Sequence, residues 1–236
     1  MLKRLLLDLL FPDYCRVCGS LLLLDHAYVA CRKCWNEHFK LYTGKRCRRC
    51  GHPLELLPGV GELCGRCAEG RSFHFSGVNY FTLYSGLAEE ALRELKFNRL
   101  KPVASEIGRA VAPHLKRWIS ALNPDLIVPV PVHSETLKER GFNQVEEILK
   151  GAGVPFIPLL KKVKKVERQS TLSAADRANN VKGAFSLLGP VSGTVLVIDD
   201  VFTTGSTANE VARVLKEGGA ERVFVYTVCY TPVKPG

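Results

Sequence analysis

The sequence lacks any long apolar run. It has no stretch of about 18 consecutive apolar residues, the length that a membrane-spanning helix requires, so we expect no membrane span. The apolar segment from Met1 to Leu10 is interrupted by Asp8 and ends before Pro12, too early for a secretory signal, and no small-residue cleavage site follows. Its leucines recur at helical spacing and predict a short amphipathic helix that docks on the protein itself, with contact to a membrane surface as the alternative. We therefore expect a cytoplasmic protein.

Two nucleotide-binding motifs are also missing. Neither G-x-x-x-x-G-K-[ST] nor G-x-G-x-x-G occurs, which disfavours a nucleotide triphosphatase of the P-loop kind and a dinucleotide-binding fold. Low-complexity tracts are absent, and the cysteine pairs are the only internal repetition. What the chain does have is a formal net charge of +10, from 33 basic and 23 acidic residues. This bias favours acidic partners such as phosphates or nucleic acid.

Eight of the nine cysteines form four C-x-x-C pairs within the first 67 residues. Two cysteines at this spacing can offer both sulfurs to one ion, and two such pairs complete a tetrahedron around Zn²⁺. The alternatives are disulfides or redox dithiols, but a redox pair normally occurs once, beside a βαβ unit. The predicted zinc ligands are Cys15, Cys18, Cys31, Cys34, Cys47, Cys50, Cys64 and Cys67.

The spacing of the pairs leaves their connectivity open. The gap from Cys18 to Cys31 is 12 residues and that from Cys50 to Cys64 is 13, so sequential pairing gives two consecutive zinc ribbons. An interleaved pairing fits the same spacing. We expect both sites to be structural, since four thiolates leave no open position for a substrate. Two bound Zn²⁺ with eight thiolates would lower the formal charge from +10 to +6.

The pattern of the chain changes near residue 72. Beyond it, strand-like and helix-like segments alternate, which predicts an α/β domain with a parallel sheet. Strands are predicted over 78–84, 126–130, 194–198 and 222–228, and helices over 88–97, 102–118, 144–150 and 207–217. Pro113 predicts a kink or break within the second of these helices. The stretch 155–185 is expected to contain a long exposed loop. We therefore predict a small four-cysteine double-ribbon domain over 1–72 and an α/β domain over 73–236.

The most informative motif leads from an apolar strand into a helix. The strand delivers two adjacent carboxylates to its end, where parallel sheets bind ligands, and a turn of Thr, Gly and Ser then opens the helix. Carboxylates can accept hydrogen bonds from a vicinal diol, and a helix N-terminus attracts a phosphate. The alternative is an ordinary capped strand-turn-helix. The predicted ribose and phosphate ligands are Asp199, Asp200, Thr203, Thr204, Gly205, Ser206 and Thr207.

This segment resembles the phosphoribosyl-diphosphate signature of type I phosphoribosyltransferases. The resemblance implies that Asp199 and Asp200 hold the ribose hydroxyls and that Thr203 to Thr207 hold the 5′-phosphate, with Mg²⁺ accompanying the ligand. Purine-specific members of that fold carry an acid where this chain has Thr203, and threonine cannot act as a general base near neutral pH. A purine acceptor is therefore disfavoured.

Further segments extend the resemblance to nearly the whole chain. Together with the acidic motif and the cysteine pairs, they occur in the order found in the ComF family of competence-associated proteins; they are 128–133, 140–144, 168–172 and 177–185. The chain is similar to that family, which implies a double zinc ribbon joined to a type I phosphoribosyltransferase-like domain. The resemblance also implies a role in handling single-stranded DNA in natural transformation. An active transferase with an unknown non-purine acceptor, and an assembly factor for a competence helicase, are the alternatives.

Basic side chains elsewhere are candidates for phosphate contacts. His133 and Arg140 lie in or near the loop expected to bind pyrophosphate, and Arg168 lies in the segment expected to close over the ligand. His133 could equally be a packed or solvated loop residue, and Asn143 and Gln144 are expected only to brace the loop. A nucleic-acid patch is conceivable around one knuckle, with aromatics nearby either stacking on bases or filling the small zinc-domain core: Lys45, Arg46, Arg48, Arg49, Trp35, Phe39 and Tyr42.

Overall fold

The computed structural model describes residues 13–22, 28–57, 59–164 and 181–232. The helix predicted for the first ten residues lies outside these ranges. In the cysteine-rich part the elements are α1 (Arg32–His38), β1 (Gly59–Val60), β2 (Leu63–Cys64) and α2 (Gly65–Ala68). In the rest of the chain they are β3 (Gly77–Leu83), α3 (Gly86–Lys96), α4 (Val103–Leu122), β4 (Leu126–Pro129), α5 (Ser134–Arg140), α6 (Gln144–Ala152), β5 (Leu160–Lys162), β6 (Phe185–Leu187), β7 (Thr194–Phe202), α7 (Ser206–Glu217) and β8 (Arg222–Tyr230).

A four-stranded parallel sheet forms the centre of the molecule. Its strand order is β3-β8-β7-β4, and β5 and β6 form a separate antiparallel pair. The two inner strands are rich in valine and are buried along almost their whole length. Such continuous apolar strands are typical of parallel sheets that are covered on both faces. The predicted α/β fold is confirmed.

Alternate side chains of β7 point to different faces of the sheet. Leu196 and Ile198 belong to one core, which they share with α3, α4 and α6. Val195 and Val197 belong to the other core, which they share with α7 and the β5–β6 pair. This period of two is the geometry of a strand. Among the longer helices of the described ranges, α7 is the one that packs on the second face.

The first ribbon packs against the first of these two cores. Val29 and Phe39 are buried there, and the Phe39 ring stacks on Phe81 of β3 with 5.3 Å between the ring centroids. The second cysteine cluster instead forms a small core of its own with neighbouring leucines and Phe73. The two ribbons therefore contact different parts of the sheet domain.

Three sequence predictions differ from the structure in their bounds. Strand β7 does not end at Ile198, because its ladder with β8 continues to the pair Phe202 and Tyr230. Helix α4 runs without a break through Pro113, which lies on its exposed side. The stretch expected to contain a long loop includes β5 and ends at Phe185, the first residue of β6. The domain boundary near residue 72 stays a prediction, although β3 joins the sheet from residue 77 onward.

Candidate functional site

The two adjacent acids of β7 lie in different environments. Asp200 is buried, and its Oδ2 lies 2.8 Å from the Lys96 Nζ at the end of α3. The same oxygen accepts a hydrogen bond of 2.6 Å from the Gln144 Nε2 at the start of α6. The Arg140 guanidinium in turn donates to the Gln144 side-chain oxygen. Charge and hydrogen bonding thus fix Asp200 in the protein from two helices, as a buried carboxylate requires.

Asp199 is less enclosed and more free to meet a ligand. It is partly exposed, and its Oδ1 accepts a hydrogen bond of 2.8 Å from the backbone N–H of Asp200. Burial, together with the charge of Asp200, raises the pKa of Asp199 to about 7. Near neutral pH this carboxyl therefore exists in both its charged and its protonated form, and the charged form is the better acceptor of hydrogen bonds from a diol.

The turn after β7 exposes hydrogen-bonding groups at the start of α7. Gly205 has φ +81°, and a Cβ there would come within 2.6 Å of the Phe202 ring, so the position requires glycine. The Thr204 and Ser206 hydroxyl oxygens lie 2.8 Å apart, and Thr203 is exposed. The first N–H groups of a helix have no partner within it, and they attract anions. The predicted phosphate residues thus lie together at one end of the sheet.

The predicted pyrophosphate-loop residues have partners within the protein. His133 caps α5, and its Nδ1 accepts a hydrogen bond of 3.3 Å from the backbone N–H of Glu135. Asn143 caps α6 and donates to the Val130 carbonyl oxygen at 3.1 Å, so it braces this loop as the sequence suggested. The third candidate, Arg168, lies outside the described residues.

The eight paired cysteines form two clusters. In each cluster the four sulfur atoms lie within 4.8 Å of one another; the members are Cys15, Cys18, Cys31 and Cys34 in the first and Cys47, Cys50, Cys64 and Cys67 in the second. The pairing is therefore sequential, and the interleaved alternative is wrong. A tetrahedron with Zn–S bonds of about 2.3 Å has sulfurs about 3.8 Å apart. The distances of 3.8 Å between Cys18 and Cys31 and 3.6 Å between Cys50 and Cys64 fit this geometry.

Hydrogen bonds within the clusters separate the pKa values of their thiols. The Cys50 thiol lowers the pKa of Cys47 well below its usual range, and its own pKa is raised in return. In the first cluster, hydrogen bonding to Ser20 lowers the pKa of Cys18, and burial raises that of Cys34. The pKa is thus lowered for at least one thiol in each cluster, and a bound cation would favour the thiolate form of all four.

The comparisons with known proteins agree with this arrangement. Residues 6–68 match the double zinc ribbon domain, and residues 98–236 match the phosphoribosyl transferase domain. The chain is 32% identical to Competence protein ComFC of Streptococcus pneumoniae over 227 residues, which cover 91% of this chain and 98% of that protein. The chain belongs to the ComF family.

Two further relatives of the chain carry different names. Competence protein F of Haemophilus influenzae is 36% identical over 189 residues, covering 75% of this chain and 82% of that protein. DNA utilization protein YhgH of Escherichia coli K12 is 31% identical over 232 residues, covering 93% of this chain and 98% of that protein. The predicted double zinc ribbon with a phosphoribosyltransferase-type domain is thereby confirmed.

Two of the four basic residues considered as a nucleic-acid patch have partners within the protein. The Arg46 guanidinium lies over the Tyr80 ring at 4.4 Å and donates to the Asn79 side-chain oxygen at 2.9 Å. Arg49 donates to backbone carbonyls of its own ribbon. Only Lys45 and Arg48 of the four are exposed. Of the aromatics, Phe39 is buried and Tyr42 stacks on Tyr80, so packing within the protein accounts for both.

Sequence reasoning missed Lys96 and the role of Gln144. Lys96 is the last residue of a helix that was predicted from the spacing of its leucines. A lysine in the last turn of a helix ordinarily interacts favourably with the helix dipole, so it gave no sign of a binding role. Its low exposure, 9% of the side chain, is visible only in the fold. Gln144 was expected to brace a loop, whereas it contacts Asp200 directly. The part of the ComF chain that the structure describes has no helix both long and apolar enough to cross a bilayer.

Proposed function

We propose that this ComF-family protein binds phosphoribosyl diphosphate with Mg²⁺ at the end of β7 and acts in the handling of single-stranded DNA. The observation that supports the ligand is the position of Asp199 and Asp200 directly before a hydroxyl-rich turn that opens α7. The acids would hold the ribose hydroxyls, and the turn from Thr203 to Thr207 would hold the 5′-phosphate. Mg²⁺ would neutralise charge on the diphosphate.

The pairing of Asp200 supports a division of labour between the acids. Lys96 and Gln144 already engage Asp200, which holds its side chain in one position. Asp199 is the partly exposed member and would make the more adaptable contact with the ribose. Arg140, held by Gln144, would stand near the diphosphate end of the ligand.

Calorimetric titration of the zinc-loaded full chain with phosphoribosyl diphosphate and Mg²⁺ tests the proposal. We expect wild type to bind and Asp199→Asn/Asp200→Asn to lose at least about tenfold in affinity, since hydrogen bonds from the diol to charged acceptors are lost. The matched control is Asp125→Asn, which lies at the opposite end of β7 and accepts from the Thr194 backbone N–H. Equal affinities for wild type and the double variant would refute the proposal.

The pH dependence of this titration identifies the acid that contacts the ribose. Because Asp199 has a pKa raised to about 7, its charged form grows between pH 6 and pH 8, and affinity should grow with it. Asp199→Asn should remove the part of this increase that is due to the protein. An unchanged pH profile in Asp199→Asn would assign the titration to the ligand phosphates instead.

The DNA part of the proposal rests on the relatives named for competence and DNA utilization. We place the protein in the cytoplasm, where thiols stay reduced and can hold metal. A labelled single-stranded oligonucleotide should bind with an affinity that falls as salt rises, because phosphate contacts release counterions. Binding that is absent at low salt would remove DNA from the proposal and leave the ribose-phosphate ligand standing.

A further inference from the structure

The segment that follows the second ribbon is bonded directly to the turn that opens α7. The Arg71 Nη2 donates a hydrogen bond of 3.0 Å to the Thr204 carbonyl oxygen. A second bond reaches α7 itself, since the backbone N–H of His74 donates to the Asn209 side-chain oxygen at 2.7 Å. The chain from Arg71 to His74 therefore contacts both the turn and the helix that comes after it.

Contacts with the second ribbon fix the position of Arg71. The Arg49 Nη1 donates to the carbonyl oxygens of Cys67 and Arg71 at 3.2 and 3.0 Å. The backbone N–H of Arg71 donates to the Arg66 carbonyl oxygen at 3.1 Å. The Arg71 guanidinium lies 4.8 Å from the centre of the Phe73 ring, within the range of a cation–π contact. Because Cys67 belongs to the second cysteine cluster, these bonds join Arg71 to that cluster.

Aromatic rings pack behind the turn. The Phe202 ring stacks on Tyr230 with 5.2 Å between the centroids, and it meets the Phe75 ring edge-on at 6.1 Å. The same Phe202 ring lies against Gly205, where a Cβ would come within 2.6 Å of it. Apolar packing of this kind fixes where the turn lies. It is not directional, so it does not determine which way a peptide group of the turn points.

The bond from Arg71 acts on a single peptide group of the turn. None of the described peptide bonds is cis, and in a planar trans peptide the carbonyl and the N–H point in opposite directions. The Thr204 carbonyl points to Arg71, so the N–H of Gly205 points away from it. Gly205 has φ +81°, and glycine adopts either sign of φ, so the reversed orientation of this peptide group is also open to it. Reversal would exchange the positions of the N–H and the carbonyl oxygen.

The orientation of this peptide group matters for an anion. Residues 203–207 are threonine, glycine and serine, so the turn supplies no cationic side chain to a phosphate. Its attraction for a phosphate depends on hydroxyl groups and on the backbone N–H groups at the start of α7. A carbonyl oxygen in place of one of those N–H groups would repel the anion.

We propose that Arg71 is a positioning residue for the phosphate turn. By holding the Thr204 carbonyl oxygen on the side of the second ribbon, it keeps the Gly205 N–H directed with those of α7 at the bound phosphate. Arg71 does not itself touch the ligand. The inference rests on the proposed function for the identity of that ligand, whereas the orientation of the peptide group is measurable without it. The second ribbon then acts on ligand binding through the backbone of the turn.

Nuclear magnetic resonance of the ligand-free, zinc-loaded full chain tests the orientation. The couplings of the Gly205 amide hydrogen to its two α-hydrogens depend on φ, so they report which way the peptide group lies. Arg71→Met keeps an apolar chain over the Phe73 ring but removes the donors, and it should change these couplings as the reversed form becomes populated. Arg71→Ala is a second variant with the same expected change. Arg71→Lys keeps a donor and should restore couplings close to those of wild type.

Calorimetric titration with phosphoribosyl diphosphate and Mg²⁺ tests the effect on binding. Arg71→Met should bind about three- to tenfold more weakly than wild type, as expected for the loss of one hydrogen bond, and Arg71→Lys should recover most of the affinity. The matched control is Arg48→Ala, which removes an exposed arginine of the same ribbon that lies 3.9 Å from Glu62. It should leave both the couplings and the affinity unchanged. Zinc content and thermal melting establish that each variant is folded.

The two measurements separate this inference from the proposed function. Unchanged Gly205 couplings in Arg71→Met and Arg71→Ala would overturn the inference whatever their ligand affinity. If wild type and both variants bind phosphoribosyl diphosphate equally, the inference fails while the proposed function survives. If wild type does not bind and the couplings change as expected, the proposed function fails and the positioning of the turn by Arg71 stands.

Discussion

The two cysteine clusters share one sequence pattern but differ in their surroundings. In the first cluster Cys18 is exposed, and its ribbon packs through Phe39 on β3. In the second cluster each of the four cysteines is 5% exposed or less, and the surrounding ribbon borders the turn before α7. The same C-x-x-C motif therefore occurs in two structural settings. The first ribbon packs on the apolar core of the sheet domain, whereas the second ribbon contacts the turn that is proposed to bind phosphate.

The largest expected difference comes from removing one ligand from each cluster. Cys64→Ser should lose zinc, lower the melting temperature by more than about 5 °C, and weaken binding of phosphoribosyl diphosphate at least about tenfold, because the second ribbon is bonded to the turn before α7 through Arg71 and Thr204. Cys18→Ser should lose zinc from the exposed cluster and keep ligand affinity within about twofold. Elemental analysis, melting curves and calorimetry measure the three effects. Equal losses of ligand affinity would remove the distinction between the ribbons.

A smaller effect, on the free energy of unfolding, is expected where the first ribbon contacts α4. Burial raises the pKa of Glu106 to about 7, against the opposing effect of a hydrogen bond from the backbone of Tyr28. Folding therefore favours the protonated form, and the stability that this carboxyl contributes is lost as pH rises from its unfolded value through 7. Glu106→Gln should raise the free energy of unfolding by about 1 kcal/mol at pH 8, since one pKa unit corresponds to about 1.4 kcal/mol.

The control for Glu106→Gln is the same comparison at pH 4, where both side chains are neutral. The difference in urea midpoint between variant and wild type should disappear there. A difference that is the same at both pH values would show that packing, and not ionisation, separates the two proteins. Ligand affinity should not change at either pH, because this interface belongs to the first ribbon.

The smallest expected effect concerns an ion pair between the first ribbon and α3. Arg16 Nη2 lies 3.5 Å from Glu94 Oε1, and the arginine side chain is 56% exposed. The arginine end of the pair is open to solvent, and Glu94, whose side chain is 10% exposed, has a second partner, so Arg16→Ala should lower the free energy of unfolding by less than about 1 kcal/mol. Glu94 keeps its hydrogen bond from Asn98 at 2.9 Å. A loss above about 2 kcal/mol in urea titration would mean that this contact, and not apolar packing, holds the first ribbon in place.

Much of the fold could be predicted because its signals are local. Apolar strands, helical stripes and the cysteine pairs each occupy a few neighbouring residues. The extent of β7 could not be predicted in this way, because Asp199 and Asp200 disfavour a strand and only the ladder with β8 keeps them in one. Pro113 suggested a break in α4, but it lies on the exposed side of a helix whose other face is well packed.

The candidate site was less predictable because its parts come from distant segments. The acids and the phosphate turn are contiguous and have a recognisable pattern. Lys96 and Gln144 reach Asp200 only because α3 and α6 end and begin at the same edge of the sheet. Arg71 gave no signal at all, since its contact with Thr204 depends on how the second ribbon docks.

The strand order has a consequence for how the protein is made. Strand β3 pairs only with β8, which is the last strand of the described chain to be synthesised. All eight paired cysteines have been translated by residue 67, so the ribbons can take up metal while β3 still has no partner. An unpaired apolar strand in a nascent chain can associate with the wrong partner. Ribbons that have already folded would cover part of β3 until β8 has been synthesised.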